Sequence, residues 1–459
     1  PDERARYKPQ KQFRLRSLLF NNPYVESIRA KSIPDSDKWS EWKKLFVDGA
    51  TGLEGDIEYL RTAFSCFDDF AKTIELLRSS AFEAQSNKRW SSKFVFPFGP
   101  DALYEDLRFG LKGQPSNDRR FFARTGELLY LMLGRAEGGP ELGQTLVKRL
   151  LNPSAPMNRL VRALQGSPQR ASTERVTGYL PIASHPRFDQ LCSDWTAILS
   201  RDMPIYDALD HLITITGLNL LLYFLERGKE QASDTDPVEI ICEIISRERT
   251  KVRAISGDSY QTNQSLSIRA IRSAVEGVRL LPDWTSALAS DDPSGECANL
   301  MRGLFQWPPA TPDDDEPDYS TMSGDDLVNR LSDKAISRHE QHVGKIHASW
   351  SRAIGLSSRF LSRRTRYAPN DRLLKTIVVS VVDERMQFDE FLYELRARYG
   401  LVIGDVEGSH LVRSKLVDQG ELFRNRENLE ARLVGLGLVR MLSDSCSFVE
   451  NPFVTKGGT

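Results

Sequence analysis

Apolar residues recur at helical spacing along most of this sequence, and that periodicity constrains the fold more than any other feature. Between Trp39 and Phe82 the residues Leu45, Phe46, Leu53, Ile57, Leu60, Phe64, Phe67, Phe70, Ile74 and Leu77 keep to it. Two or three amphipathic helices are predicted there. Further helices are predicted at Asp118 to Arg135, Leu142 to Leu151 and Met157 to Leu164. A second group follows at Arg187 to Ser200, Ile205 to Arg227, Pro237 to Ile255, Ser265 to Leu280 and Glu296 to Phe305. No strand pattern competes with the helices of this second group, so the chain reads as mainly α and built from multi-helical bodies.

Proline and glycine mark where the helices stop. Phe94-Val95-Phe96-Pro97-Phe98-Gly99-Pro100 cannot remain helical, and Asp101 offers an N-cap for a helix beginning at Ala102. Gly138-Gly139-Pro140 ends another, and the polar stretch from Gln165 to Gly178 is a candidate boundary. Pro308 to Asp318 is rich in proline and acid and lacks the hydrophobicity to fold alone. These breaks predict a basic N-terminal arm (1–20, with Arg4, Arg6, Lys8, Lys11, Arg14 and Arg16), helical domains at 21–165 and 179–307, and an acidic linker at 308–324. A long helix with a basic connector (325–368) and a C-terminal domain (369–454) complete the division.

Lys and Arg number 62 against 63 Asp and Glu, so no global field commits the chain to nucleic acid or to an anionic membrane. Such binding would have to come from local patches. Cys66, Cys192, Cys242, Cys297 and Cys446 are scattered singly with no CxxC pair, which fits a reducing compartment better than zinc or redox chemistry. The first residues lack the apolar core of a signal peptide. The apolar stretch Leu212 to Leu225 falls short of the roughly 20 residues that span a bilayer. A cytoplasmic protein with a buried core helix and no membrane partner is expected.

At the C-terminal end, Asn370 or Asp371 can cap a helix through Leu373, Leu374, Ile377, Val378, Val381 and Val382. Phe388 to Tyr399 forms a second helix, with Gly400 just past its end. A short extended piece, Leu401-Val402-Ile403, is followed by a helical stretch at His410 to Val417 and a helix at Asn428 to Leu436. Leu438 to Leu442 and Cys446 to Pro452 then flank the polar turn Ser443-Asp444-Ser445, the pattern of a β-hairpin. A helix ending in Leu436-Gly437-Leu438 and running straight into a hairpin resembles the recognition helix and wing of winged-helix domains, over roughly 370 to 453. The resemblance implies either DNA binding or protein assembly.

Charge bears on that choice. The presumed recognition helix and its approach hold Arg424, Arg426 and Arg432 against Glu427 and Glu430, whereas a major-groove helix usually presents net positive charge and polar base readers. The run Arg359, Arg363, Arg364, Arg366, Arg372 and Lys375 contains only Asp371 in opposition, enough to contact phosphates without sequence preference. These nine cations are the candidate nucleic-acid-binding residues.

Enzymatic chemistry finds no motif. His339, His342 and His347 share a predicted helix, but the second and third stand about 140° apart and Glu340 does not complete HExxH. His185, before Pro186, and His211 read as capping or core histidines. There is no GxSxG elbow, no GxxxxGK[ST] loop and no strand-preceded GxGxxG, and Asp68-Asp69 and Asp313 to Asp315 read as surface. No catalytic residue, metal ligand or cofactor is assigned.

Phe96 to Leu107, Arg119 to Arg135 and Leu436 to Phe453 resemble phrases of uncharacterised accessory subunits of bacterial antiphage defence operons, including the methylation-associated kind. The resemblance implies partnership with ATPase, methyltransferase or nuclease subunits and transfers no functional residue. The expectation is therefore a non-enzymatic adaptor or scaffold subunit of an antiviral defence complex, touching double-stranded DNA through basic segments. Two alternatives remain: a cryptic metal-dependent nuclease or hydrolase whose acidic and histidine residues meet only in the fold, and a transcriptional regulator.

Overall fold

The structure, a computed structural model, describes residues 4–7, 18–19, 22–49, 58–80, 107–109, 115–117, 125–165, 174–177, 179–246, 250–309, 317–443 and 446–454. It is mainly helical. The aromatic turn at 94–101, most of the N-terminal arm, the middle of the polar stretch 165–178 and the linker residues 310–316 lie outside the described residues. Two compact units emerge, Pro1–Thr216 with Phe453–Thr459, and Gly217–Pro452.

In the first unit, strand β1 (Ala5–Tyr7) precedes helices α1 (Tyr24–Arg29), α2 (Asp35–Gly49), α3 (Glu58–Ala63) and α4 (Phe67–Ser80). Their apolar stripes meet in an aromatic core: Trp42 stacks on Phe46 at 4.9 Å and Trp39 meets Phe67 edge-on at 5.2 Å. The buried Trp42 donates its indole N–H to Asn22 Oδ1 at 2.9 Å, so the ring is buried without an orphaned donor. A small antiparallel pair, β2 (Leu107–Phe109) with β3 (Pro115–Asn117), follows. Helices α5 (Thr125–Arg135), α6 (Gly139–Arg149) and α7 (Pro156–Gln165) lead to β4 (Arg175–Thr177). β4 pairs antiparallel with β1, Ala5 opposite Thr177, within the first unit.

Helix α8 (Pro186–Ser200) is capped by His185, whose Nδ1 accepts from Arg187 N at 3.1 Å. The division between units falls within the next helix, α9 (Ile205–Gln231). From Asp207 to Gln231 it is long and apolar enough to cross a membrane, yet 83% of its most apolar window is buried within the protein, as a core helix is. Its polar interruptions are accommodated locally: Thr216 Oγ1 donates to Leu212 O and accepts from Trp195 Nε1 at 2.9 Å.

The second unit departs from the sequence expectation at its start. Residues 237–246 are not helical; Ile240–Ile241 form strand β5, and helix α10 begins only at Lys251 and runs to Glu276. Val238, Ile240, Cys242 and Ile244 are buried at every second position, a period-2 pattern that the helical reading overrode. The helices predicted at 237–255 and 265–280 are thus one strand and one continuous helix with a 3₁₀ turn at Gly277–Leu280. Helices α11 (Pro282–Leu288), α12 (Pro293–Phe305) and α13 (Gly324–His342) close a core of Trp284, Cys297, Met301, Tyr319 and Leu327. Tyr319, in the predicted acidic linker, is 3% exposed and packs edge-on against Trp307 at 5.0 Å, so this flank of the segment is anchored to the unit.

Residues 325–360, readable as one long helix or two in succession, are two: α13 ends at His342 and α14 spans Ile346–Ala353. The basic run that follows is no connector. Ser357–Ser358 (β6) and Arg366–Tyr367 (β7) pair antiparallel, Ser357 opposite Tyr367, and fold residues 359–365 into a hairpin loop. Asn370 caps α15 (Asp371–Val381) by accepting from Leu373 N at 3.0 Å. Strand β8 (Arg385–Gln387), α16 (Phe388–Tyr399), β9 (Leu401–Val402), α17 (Ser409–Arg413) and α18 (Gln419–Gly435) come next. Val439–Ser443 (β10) and Cys446–Glu450 (β11) then form a hairpin whose second strand also pairs with β8, giving the order β10-β11-β8. β9 instead pairs parallel with β5, Ile240 beside Leu401.

Candidate functional site

The arginine hairpin lies along the first two turns of α10. The N-cap Thr250 with helix residues Arg253, Ala254 and Gly257, spaced as one stripe, forms one wall of a cavity of about 640 Å³. Leu361, Ser362, Arg363, Arg364 and Arg366 form the other. Two small residues on the helix leave the room: Ala254 is exposed, and a Cβ on Gly257 would sit 3.8 Å from Thr365 O.

Among the described residues, four arginines and no acid line this cavity. Behind it, Glu243 is 2% exposed and takes Arg253 Nε on Oε1 at 2.7 Å and Arg366 Nε on Oε2. One carboxylate thus faces two buried or nearly buried cations, and the cluster keeps net positive charge. Arg253 also donates to Ser246 O at 3.1 Å. Arg366 is 1% exposed, and its Nη1 and Nη2 have no hydrogen-bond acceptor. A guanidinium is a five-donor group, and leaving two of its nitrogens unmatched in the interior is costly.

Local structure fixes the hairpin. Arg359 Nε donates to Thr365 Oγ1 at 2.7 Å across the loop, and Arg364 N donates to Ser362 Oγ at 3.1 Å. Leu361 adopts φ +57, a left-handed conformation unfavourable for a branched side chain. The ends are held by Tyr367: its carbonyl accepts from Glu243 N at 2.9 Å and from Ser256 Oγ at 2.7 Å. Its hydroxyl lies 2.7 Å from His347 Nε2 and accepts from Asn263 Nδ2 at 3.1 Å. The Glu239 carbonyl, 3.0 Å from the same Nδ2, fixes which way that amide points. Burial pushes His347 down to about 4 and Tyr367 well up, so both are neutral near pH 7.

The nine cations singled out from the sequence divide into distinct environments. Arg359, Arg363 and Arg364 are exposed on the hairpin; Arg364 meets Asp258 at 3.4 Å, but both side chains are over 60% exposed and the pair contributes little. Arg366 is interior and does not present itself to a duplex backbone. Arg372 donates to Ala353 O at 3.4 Å, and Lys375 and Arg424 are exposed. On α18, Arg426 is paired with Asp389 at 2.5 Å and Arg432 with Asp371 at 2.7 Å.

Sequence reasoning did not single out Glu243, Thr250 or Arg253. The signal for Thr250 and Arg253 was the i, i+3, i+4, i+7 stripe of Thr250, Arg253, Ala254 and Gly257, masked by the prediction that the helix begins at 237; Glu243 lies outside that stripe. The histidines occupy separate structural roles: His185 caps α8, His339 Nε2 bonds Ser267 Oγ at 2.8 Å, and His347 belongs to the Tyr367 cluster. Among the described residues, no three His, Cys, Asp or Glu side chains are grouped as metal ligands would be.

Comparison with known proteins finds no matching family model, no matching curated relative and no matching solved structure.

Proposed function

We propose that this chain is a non-enzymatic adaptor or scaffold subunit of a cytoplasmic bacterial antiviral defence complex, and that it contacts double-stranded DNA non-specifically. The observation that carries the DNA part is the hairpin: Arg359, Arg363 and Arg364 stand exposed on one loop that contains no carboxylate. Exposed cations of this kind meet phosphates, which position a protein on a duplex without reading its sequence.

The adaptor part draws on the C-terminal region. Its order of α15, β8, α16, α17, α18 and the closing hairpin, with β11 laid against β8 and β9 paired outside this sheet, supports a winged-helix reading in which α18 stands in the recognition position. Arg426 and Arg432 on that helix are engaged by Asp389 and Asp371, which argues against base readout and therefore against a sequence-specific regulator. Phe423, Val434, Met441 and Leu442, on α18 and β10, are each at least 40% exposed, the composition of a protein-docking face. That the partners are ATPase, methyltransferase or nuclease subunits is what the resemblance to defence-operon subunits implies.

The test is fluorescence anisotropy with a random-sequence duplex at low and moderate salt. Wild-type protein binds and loses affinity as salt rises, and replacing Arg359, Arg363 and Arg364 together by Ala removes binding equally for all sequences. Wild-type protein that shows no salt-dependent binding overturns the DNA part. Failure to co-purify with any product of the neighbouring genes overturns the adaptor part.

A further inference from the structure

We propose that the cavity between α10 and the arginine hairpin is a binding site for the terminal phosphoryl group of a nucleotide-sized ligand. The cavity's dimensions are those of a small-molecule site, since pockets of roughly 300 to 1,000 Å³ hold ligands and a single inorganic ion needs far less. Among the described residues its wall carries Arg253, Arg363, Arg364 and Arg366 and no acid. A phosphate monoester or diphosphate has the charge and the multiple acceptor oxygens that planar guanidiniums match in bidentate fashion.

Arg366 points to a ligand independently of this count. It is buried to 1%, one edge is used by Glu243, and Nη1 and Nη2 lack acceptors. Among the described residues nothing completes its hydrogen bonding; both nitrogens are closed to solvent behind the cavity wall, and an oxyanion in the adjoining cavity supplies the missing acceptors once the side chain turns forward to meet it. Glu243 has a defined part: it orients Arg253 and Arg366 through their Nε atoms and leaves their charge half-compensated, which keeps the site anion-selective. The start of α10 is not itself the site. Lys251 N there already donates to Glu421 Oε1 at 3.2 Å, so the attraction comes from the side chains along the helix flank. Ala254, Gly257 and Leu361 give the same cavity an apolar portion against which the organic body of a nucleotide packs.

This site does not depend on duplex binding by the exposed loop. Isothermal titration calorimetry with pyrophosphate, AMP and ADP, and anisotropy with a single-stranded oligonucleotide carrying either a 5′-phosphate or a 5′-hydroxyl, separate the sources of the phosphoryl group. Saturable binding of AMP or ADP identifies a free nucleotide. Binding of the 5′-phosphorylated strand alone, with the hydroxyl strand inert, identifies a strand end.

Two variants locate the event. Ala254→Glu places a carboxylate at an exposed position of good helix propensity, so it spares folding while competing for the guanidiniums. It weakens binding by about tenfold or more, as loss of one charge-assisted contact does. Arg363→Ala with Arg364→Ala has the same direction, and circular dichroism confirms unchanged folding for both variants. If pyrophosphate, AMP, ADP and the phosphorylated strand all fail to bind wild-type protein, the proposal is wrong. It is equally overturned if they bind and Ala254→Glu leaves their affinities unchanged. Loss of duplex binding with ADP binding retained removes only the DNA reading.

Discussion

Glu243 is held between Arg253 and Arg366, and its removal shows how an interior charge cluster differs from a surface ion pair. Exposed pairs such as Arg364 with Asp258 contribute at most about 1 kcal/mol. Taking away the carboxylate at 2% exposure instead strands two guanidiniums, one of them 1% exposed. Glu243→Gln is expected to destabilise the protein by about 3–5 kcal/mol, read as a lowered urea midpoint. A loss below about 1 kcal/mol would mean that water or a rearranged partner compensates the arginines. His347 gives a second prediction, with a pH axis. Burial lowers its folded pKa to about 4 from an ordinary 6.5, so the unfolded chain binds the proton more readily. The stabilisation is complete above pH 6.5 and is lost as pH falls from 6.5 towards 4, by roughly 3 kcal/mol in all. Denaturation midpoints across that window should fall more steeply for wild-type protein than for His347→Gln, which keeps a polar contact to Tyr367 but does not titrate.

At the scale of elements, the joint between β5, β9 and α18 depends on two residues. Gly400 ends α16 at φ +67, and a Cβ there would meet Val238 O at 2.2 Å. Gly400→Ala combines left-handed strain with a backbone clash, and more than about 2 kcal/mol of destabilisation is expected by thermal or chemical denaturation. Asn425, 4% exposed, donates to Cys242 O and Ile403 O at 2.9 Å each and accepts from Ile244 N at 2.7 Å. Gly400 was legible in the sequence as a helix stop, as were the Asn370 cap, the buried α9 and the two strands about Ser443, because each rests on local chemistry. The strand at 240–241 was not. Its alternation over Val238 to Ile244 is too short to outweigh neighbouring helical periodicity, and its partner Leu401 is remote in the chain. The candidate site suffered likewise: its arginines at 363, 364 and 366 stood out as a basic run, but Arg253 and Glu243 join them only through contacts remote in the chain, the Tyr367 carbonyl with Glu243 N and Ser256 Oγ and the Glu243–Arg366 pair.

For the whole molecule, 62 basic and 63 acidic residues leave a net charge of −1, so no long-range field draws the chain to DNA. Any attraction is local, within the Debye length of about 10 Å at 0.1 M salt. This limits the form of the proposed duplex binding. With Arg359, Arg363 and Arg364 as three phosphate contacts, each worth about −0.9, the logarithm of affinity should fall against the logarithm of salt with a slope of about −2.7. Affinity then drops about 40-fold between 50 and 200 mM salt. Each single Ala substitution reduces the slope by about 1, and Lys375→Ala, away from the loop, leaves it unchanged. A wild-type slope near −6 or steeper would require further cations beyond the hairpin, with Lys375 and Arg424 the first to test. A slope near zero would place the hairpin's arginines wholly in the service of the cavity beneath them.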